Sequence, residues 1–354
     1  MQPDRRAFLE ELLDAPGPSG YETEAQRRFI EYITPIADAV RTDAYGNAVG
    51  VYNQTSDGPS IAFAGHMDEI GLIVSSIDED GFVHVGSIGG MDRMMTKGRA
   101  VEIHTATGPV TGVVGQTAVH LREQDDDEID DIEEQYIDIG VESAAAARER
   151  ISVGDPITVV GDSHELADHR LAARAMDNRV GVWAAAEGFR QAVDGDIEAT
   201  IYTISTVQEE IGTKGAEMIG ADLELDAVLA IDVTNAVDTP GIPAHTKGEV
   251  ELGSGPVIYR GSANHPVVVD ALRAAAAHAD IDIQLASAGN RTATDADAFY
   301  RQQAGTPAVN VGIPNRYMHT PVEVIDTTDL GATVELLTAF ADRAEGYDTF
   351  EVDL

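Results

Sequence analysis

The chain has 354 residues and a formal net charge of −39, from 62 acidic against 23 basic residues. No Lys/Arg patch exists to neutralise phosphates, which excludes a nucleic-acid partner, and the lack of cysteine excludes disulfides, thiolate metal sites and Cys nucleophiles. No stretch approaches the roughly 20 apolar residues of a membrane span, and the start MQPDRRAFLE has no apolar segment, so a soluble cytoplasmic protein with no membrane partner is expected.

Lysine occurs only at Lys97, Lys214 and Lys247, and the acids are spread over the whole length. Such self-repulsion needs screening. In molar salt the Debye length falls to about 3 Å, so the pattern reads as that of a halophile. Apolar residues make up 43% and aromatics 5%, so Ala, Val, Ile and Leu must fill the core. The length predicts one large domain and a smaller one.

In chain order, Phe8, Leu9, Leu12 and Leu13 have helical spacing, as do Phe29, Ile30 and Ile33 after the breaker run Pro16 to Gly20. Ser60 to Gly65 reads as a short buried strand that stops at His66. From Leu72 to Gly161 the texture changes to short Val/Ile-rich runs separated by Gly-containing turns, the pattern of a small β-barrel. Residues 72–161 are therefore expected to form an inserted β domain, leaving 1–71 and 162–354 for the main one. The acidic run Glu123 to Glu134 inside it reads as a solvated loop.

Beyond Asp177, strands alternate with helices. Asn178 to Val193, Val267 to His278 and Leu330 to Arg343 are predicted helices; Thr200 to Val207, Ala227 to Ile231, Ile283 to Ala286 and Ala308 to Val311 are predicted strands. The alternation implies an α/β fold with a mostly parallel sheet flanked by helices.

No Gly-x-Ser-x-Gly elbow or His-Glu-x-x-His helix is present. In an open α/β sheet the site lies at the carboxyl ends of the strands. His66, Asp68, Glu209, Glu210, Asp232 and His319 all follow strands, and Asp177 precedes a helix. Imidazoles and carboxylates converging there supply the donors that Zn²⁺, Co²⁺ or Mn²⁺ accept, and one carboxylate can bridge a metal pair. Asp177 is the natural bridge. Successive side chains leave a strand in opposite directions, so one member of Glu209–Glu210 can bind metal while the other faces substrate as general base. Asp68 is placed to orient His66. His120 is a further candidate from the β region, and the remaining histidines, His245 among them, read as solvated.

Gly65-His66-Met67-Asp68-Glu69-Ile70-Gly71, Ala173-Arg174-Ala175-Met176-Asp177-Asn178-Arg179, Val207-Gln208-Glu209-Glu210-Ile211-Gly212 and Met318-His319-Thr320 resemble, in this order, the motifs of the tetrahedral glutamyl or deblocking metallo-aminopeptidases. The resemblance implies two divalent ions per subunit, Zn²⁺ or Co²⁺, bridged by Asp177. Glu210 and His319 would complete one site, His66 and Asp232 the other, with Glu209 the general base. It also implies short peptide substrates and a homo-oligomer, in many members a dodecamer. Two departures touch the substrate pocket: no aromatic follows Gly89-Gly90, and Leu252 to Pro256 lacks a basic residue. Other amide hydrolysis, as in a deacylase, is the alternative, and glucanase activity a more distant one.

Overall fold

A computed structural model describes residues 1–122, 129–195, 197–243, 250–303, 305–347 and 349–354. Among these, an eleven-stranded mixed sheet carries the main body and a closed six-stranded barrel stands beside it. His245, Lys247 and the first half of the acidic run lie outside the described residues.

The centre of the sheet is parallel. Ser60–His66 runs between Thr200–Thr206 and Ala227–Asn235, and the latter pairs with Ala308–Arg316. These strands are buried along nearly their whole length, which is why they read as continuous apolar runs rather than alternating ones. Antiparallel strands Ala48–Tyr52, Glu323–Asp326 and Arg170–Ala173 extend the sheet on its two sides. One face is covered by the helices Met176–Asp194, Pro266–Ala279 and Thr327–Ala344, whose Val, Leu, Ala and Phe side chains form the main core. The helices Lys214–Asp222 and Ala296–Phe299 close the other face over a smaller core.

Two strands are longer than the sequence implied. Ala227–Asn235 continues past Ile231, so Asp232 lies inside a strand instead of following one, and Ala308–Arg316 continues past Val311. Each strand extends the other, because Asp232 to Asn235 pair with Gly312 to Asn315. The predicted strand near Ile283 is Gln284–Ser287, which pairs off the main path of the sheet with Val257–Arg260.

The barrel uses antiparallel strands between Gly71 and Val159, packed around Val, Ile and Leu side chains from Leu72 to Val159. The chain leaves the sheet after His66 and rejoins it at His164, ahead of Asp177. The described end of the acidic run is not free loop: Asp130 and Asp131 pair with Lys97 and Arg93, and Ile132 is buried in the barrel core.

Candidate active site

The four parallel strands point their carboxyl ends at one cleft, and the structure brings His66, Asp177, Glu209, Glu210, Asp232 and His319 together there. His66 Nε2 lies 3.2 Å from Asp177 Oδ1 and 3.6 Å from Asp232 Oδ1. His319 Nε2 lies 3.3 Å from Asp177 Oδ2 and 3.5 Å from Glu210 Oε1. Ligand atoms of His66, Asp177 and Asp232 fall within 4.8 Å of one another, as do those of Asp177, Glu210 and His319. Asp177 belongs to both groups, one oxygen facing each imidazole. Glu209 belongs to neither, its Oε2 lying 4.0 Å from His66 Nε2.

The strand Thr200–Thr206 ends before the Glu209–Glu210 pair, which sits in a turn behind left-handed Gln208 (φ 58°). Strand alternation is therefore not what separates the two side chains. Asp68 sets the turn instead: its carboxylate accepts from the backbone N–H of Glu209 and Glu210 and from the Ser19 hydroxyl. Its nearest contact with His66 is through the backbone. The Asp68 carbonyl lies 3.2 Å from Nδ1, whereas the nearest carboxylate oxygen is 3.4 Å away. A carbonyl only accepts, so Nδ1 carries an N–H toward it and Nε2 points into the cleft.

His319 is fixed in the same way by the barrel, with Nδ1 3.1 Å from the Gly90 carbonyl. A Cβ on Gly90 would stand 3.0 Å from the ring, and one on Gly89 (φ 67°) 3.2 Å from Glu210 Cβ. Only glycine lets the barrel approach this closely. Non-glycine residues in the left-handed region cluster around the cleft, at Ala175, Gln208, Ala293, Tyr317 and His319. Each costs backbone energy that surrounding contacts must offset.

Glu323 is a site residue that sequence reasoning missed. It is buried, with Oε2 accepting from Asp177 N at 3.1 Å and Oε1 from His319 N at 3.0 Å and Asn315 Nδ2 at 3.3 Å. The signal available was weak: one acid within the otherwise apolar Val322-Glu323-Val324-Ile325. Asp295, also missed, is buried beside the strand end and accepts from the Thr206 hydroxyl. His120 lies exposed in the turn Val119–Leu121 and shares no hydrogen bond or ion pair with the cluster among the described residues.

So many acids in one buried place disturb one another. Burial, reinforced by neighbouring carboxylates, raises Glu209 to about 10 and Glu323 to about 8, and lifts Glu210 and Asp232. Asp177 goes the other way: burial opposes its ionisation, but hydrogen bonds from His319 and His66 hold it at about 2. Burial lowers His66, yet Asp232 and the other acids raise it on balance, and the Asp177 hydrogen bond raises His319. Among the described residues no Lys or Arg side chain pairs with Asp177, Glu209, Glu210 or Asp232.

A parallel sheet that presents imidazoles and carboxylates in one cleft has the layout of a hydrolase that works without a Ser or Cys nucleophile. The chain matches the family model described as M42 glutamyl aminopeptidase over residues 46–336, and it belongs to that family; it is a peptide hydrolase. It is 32% identical to a lysyl aminopeptidase of Pyrococcus furiosus, over 96% of this chain and 98% of that one. A glutamyl aminopeptidase of Lactococcus lactis is 29% identical over 78% of each chain. Among solved structures, a TET aminopeptidase from a marine-sediment Thaumarchaeota archaeon superposes with a TM-score of 0.90 at 30% identity, covering 96% of both chains. The TET1 peptidase of Pyrococcus horikoshii, which assembles into a tetrahedron or a large octahedral shell, gives 0.85 at 30% identity, covering 95% of this chain and 99% of that one. The fold class read from the sequence agrees with these relatives, barrel included.

Proposed function

We propose that the protein is an aminopeptidase that removes N-terminal residues from short peptides, using two divalent cations and Glu209 as general base. The observation that carries the reading is Asp177, whose two oxygens each serve a separate imidazole and carboxylate group. The donors fit such ions: mixed N and O ligands suit Zn²⁺ or Co²⁺, and the buried Glu210 Oε1 has no hydrogen-bond partner among the described residues. His66 and Asp232 would hold one ion, Glu210 and His319 the other, with Asp177 shared.

When bound, the ions supply Lewis acidity toward the scissile carbonyl and acidify a water. Glu209 takes the proton of the attacking water on its carboxylate and passes it to the departing amine nitrogen. Its place next to the donor groups, lining the same cleft, supports that role, and the positive charge of the ions would favour the carboxylate form that burial disfavours. Asp68 orients His66 and the Glu209–Glu210 turn, and Glu323 orients Asp177 and His319. The β region 72–161 is an inserted domain that joins copies of the chain into a homo-oligomer, dimer-built and in the manner of the tetrahedral relatives, inside a cytoplasm rich in salt.

Glu209→Gln tests the assignment. Metal content should stay at the wild-type value while kcat on an aminoacyl anilide falls by about 10²- to 10⁴-fold, the range of general-base catalysis. Near-full activity would remove Glu209 from the mechanism. Loss of anilide cleavage on chelation and its return with Zn²⁺ or Co²⁺ separates this chemistry from a metal-independent glycosidase.

A further inference from the structure

Thr234, Tyr259, Thr292, Thr294, Asn310 and Met318 form a wall of the cavity of about 300 Å³ that the carboxylate cluster also lines. Ala230 pairs with Asn310 and Asp232 with Gly312, so Asn310 projects from the same face of the sheet as Asp232 and Thr234. Its neighbours Val309 and Val311 fill the helix-covered core on the opposite face. A Cβ on Gly312 would stand 2.9 Å from Thr234 Cγ2 and 3.2 Å from Tyr259 Cε2, so that glycine lets the tyrosine ring lie close over the wall.

The polar groups of this wall are spent on one another, with one exception. Tyr259 and Thr234 share a hydroxyl–hydroxyl hydrogen bond. The Thr292 hydroxyl is held by Thr294 and Asp297, and the Asp297 carboxylate also takes the N–H of Thr292 and Ala293. Asn310 is 1% exposed, yet its Oδ1 has no hydrogen-bond partner among the described residues. A buried polar atom left without a partner is costly and calls for completion by a ligand. Apart from the proposed metal ligands and Glu209, none of the described residues lining the cavity is charged.

We infer that Asn310 reads the side chain of the substrate's N-terminal residue and selects a neutral one that ends in an amide or hydroxyl, glutamine being the type case. The inference rests on the aminopeptidase reading above, because a scissile carbonyl held at the cluster places the residue's side chain against this wall. An amide both donates and accepts, so Asn310 matches a second amide. An acidic side chain finds no cation among the described lining residues. A lysine finds no carboxylate that is free of other duties. An aliphatic chain of the same length leaves Oδ1 unpaired, and a site built to hydrogen-bond its substrate discriminates against an analogue that cannot.

The experiment compares anilides of glutamine, norleucine, glutamate and lysine on the full chain loaded with Zn²⁺ or Co²⁺. Wild type should favour glutamine over norleucine in kcat/KM by about tenfold, the worth of one good neutral hydrogen bond, with glutamate and lysine lower still. Asn310→Leu should bring that ratio to one or below, and the near-isosteric Asn310→Asp should move preference toward lysine. Independently of turnover, free glutamine should bind more tightly than norleucine by calorimetry, and Asn310→Leu should erase the difference. A glutamine-to-norleucine ratio that stays within twofold in both variants overturns the inference, as does wild-type cleavage of the glutamate or lysine anilide as fast as the glutamine one. In those cases aminopeptidase activity itself stands. Failure of loaded wild type on every anilide would instead sink the aminopeptidase reading, and this inference with it.

Discussion

The carboxylate of Asp68 accepts the backbone N–H of Glu209 at 2.9 Å, linking a residue just beyond one parallel strand to the turn after its neighbour. The same carboxylate takes the N–H of Glu210 at 3.1 Å. Asp68 therefore fixes the spacing between the proposed base and a proposed ligand without touching either side chain. Asp68→Ala should leave both N–H groups buried and unpaired, lowering kcat and metal affinity by about 10- to 100-fold, the usual cost of losing a ligand's supporting partner. Steady-state kinetics with metal titration checks this; unchanged values would leave Asp68 no part in the site beyond holding the turn.

Glu323 performs the matching task on the opposite side, holding the N–H groups of Asp177 and His319. Glu323→Ala removes both acceptors in a buried place. At about 1–3 kcal/mol for each unsatisfied group, thermal unfolding should shift down by several degrees, and metal should bind more weakly. Glu323→Gln keeps an amide oxygen and should lose less. Equal melting temperatures for wild type and the Ala variant would contradict the geometry.

Arg316 grips Asp238 with Nε and Nη2 at 2.8 and 2.6 Å, just upstream of left-handed Tyr317 and His319. That hydrogen bonding lowers the Asp238 carboxyl below its ordinary 3.8. A lowered folded-state value means that the stabilisation is fully present above pH 4 and is lost as pH falls through the folded value. Asp238→Asn should therefore lower the melting temperature at pH 7, and the gap from wild type should narrow below about pH 4. A gap that widened in acid would reverse the assigned sign.

The charge of −39 sets the fourth expectation. At molar KCl the Debye length of about 3 Å screens neighbouring carboxylates, so the melting temperature should climb steeply between dilute buffer and molar salt. Light scattering over the same range should report a homo-oligomer in high salt. A protein equally stable in both would count against a halophilic origin.

The sequence carried the site further than it carried the reasons for it. Apolar runs ending in polar residues located His66, Glu209 and His319, because a buried parallel strand cannot hold charge except at its end. The same logic picked out Asp232 for the wrong reason: the strand runs on to Asn235, and the acid is tolerated inside it because it faces the cleft. Glu323, Gly90 and the role of Asp68 act through backbone groups of distant residues, and no spacing along a chain encodes such a contact. Along the chain Asn310 is one polar residue in a strand, and the burial that leaves its oxygen unpaired among the described residues exists only once the neighbouring strands have paired.

The detour of the chain through the barrel bears on when activity begins. His66 and Asp68 are made before the barrel, the Gly90 that seats His319 is made within it, and Asp177 and Glu209 come after it. His319 emerges last of all. A nascent chain therefore carries scattered halves of a hydrolytic centre and no working one, and a peptidase assembled this way stays harmless to its own synthesis until the barrel and the final strands have folded together.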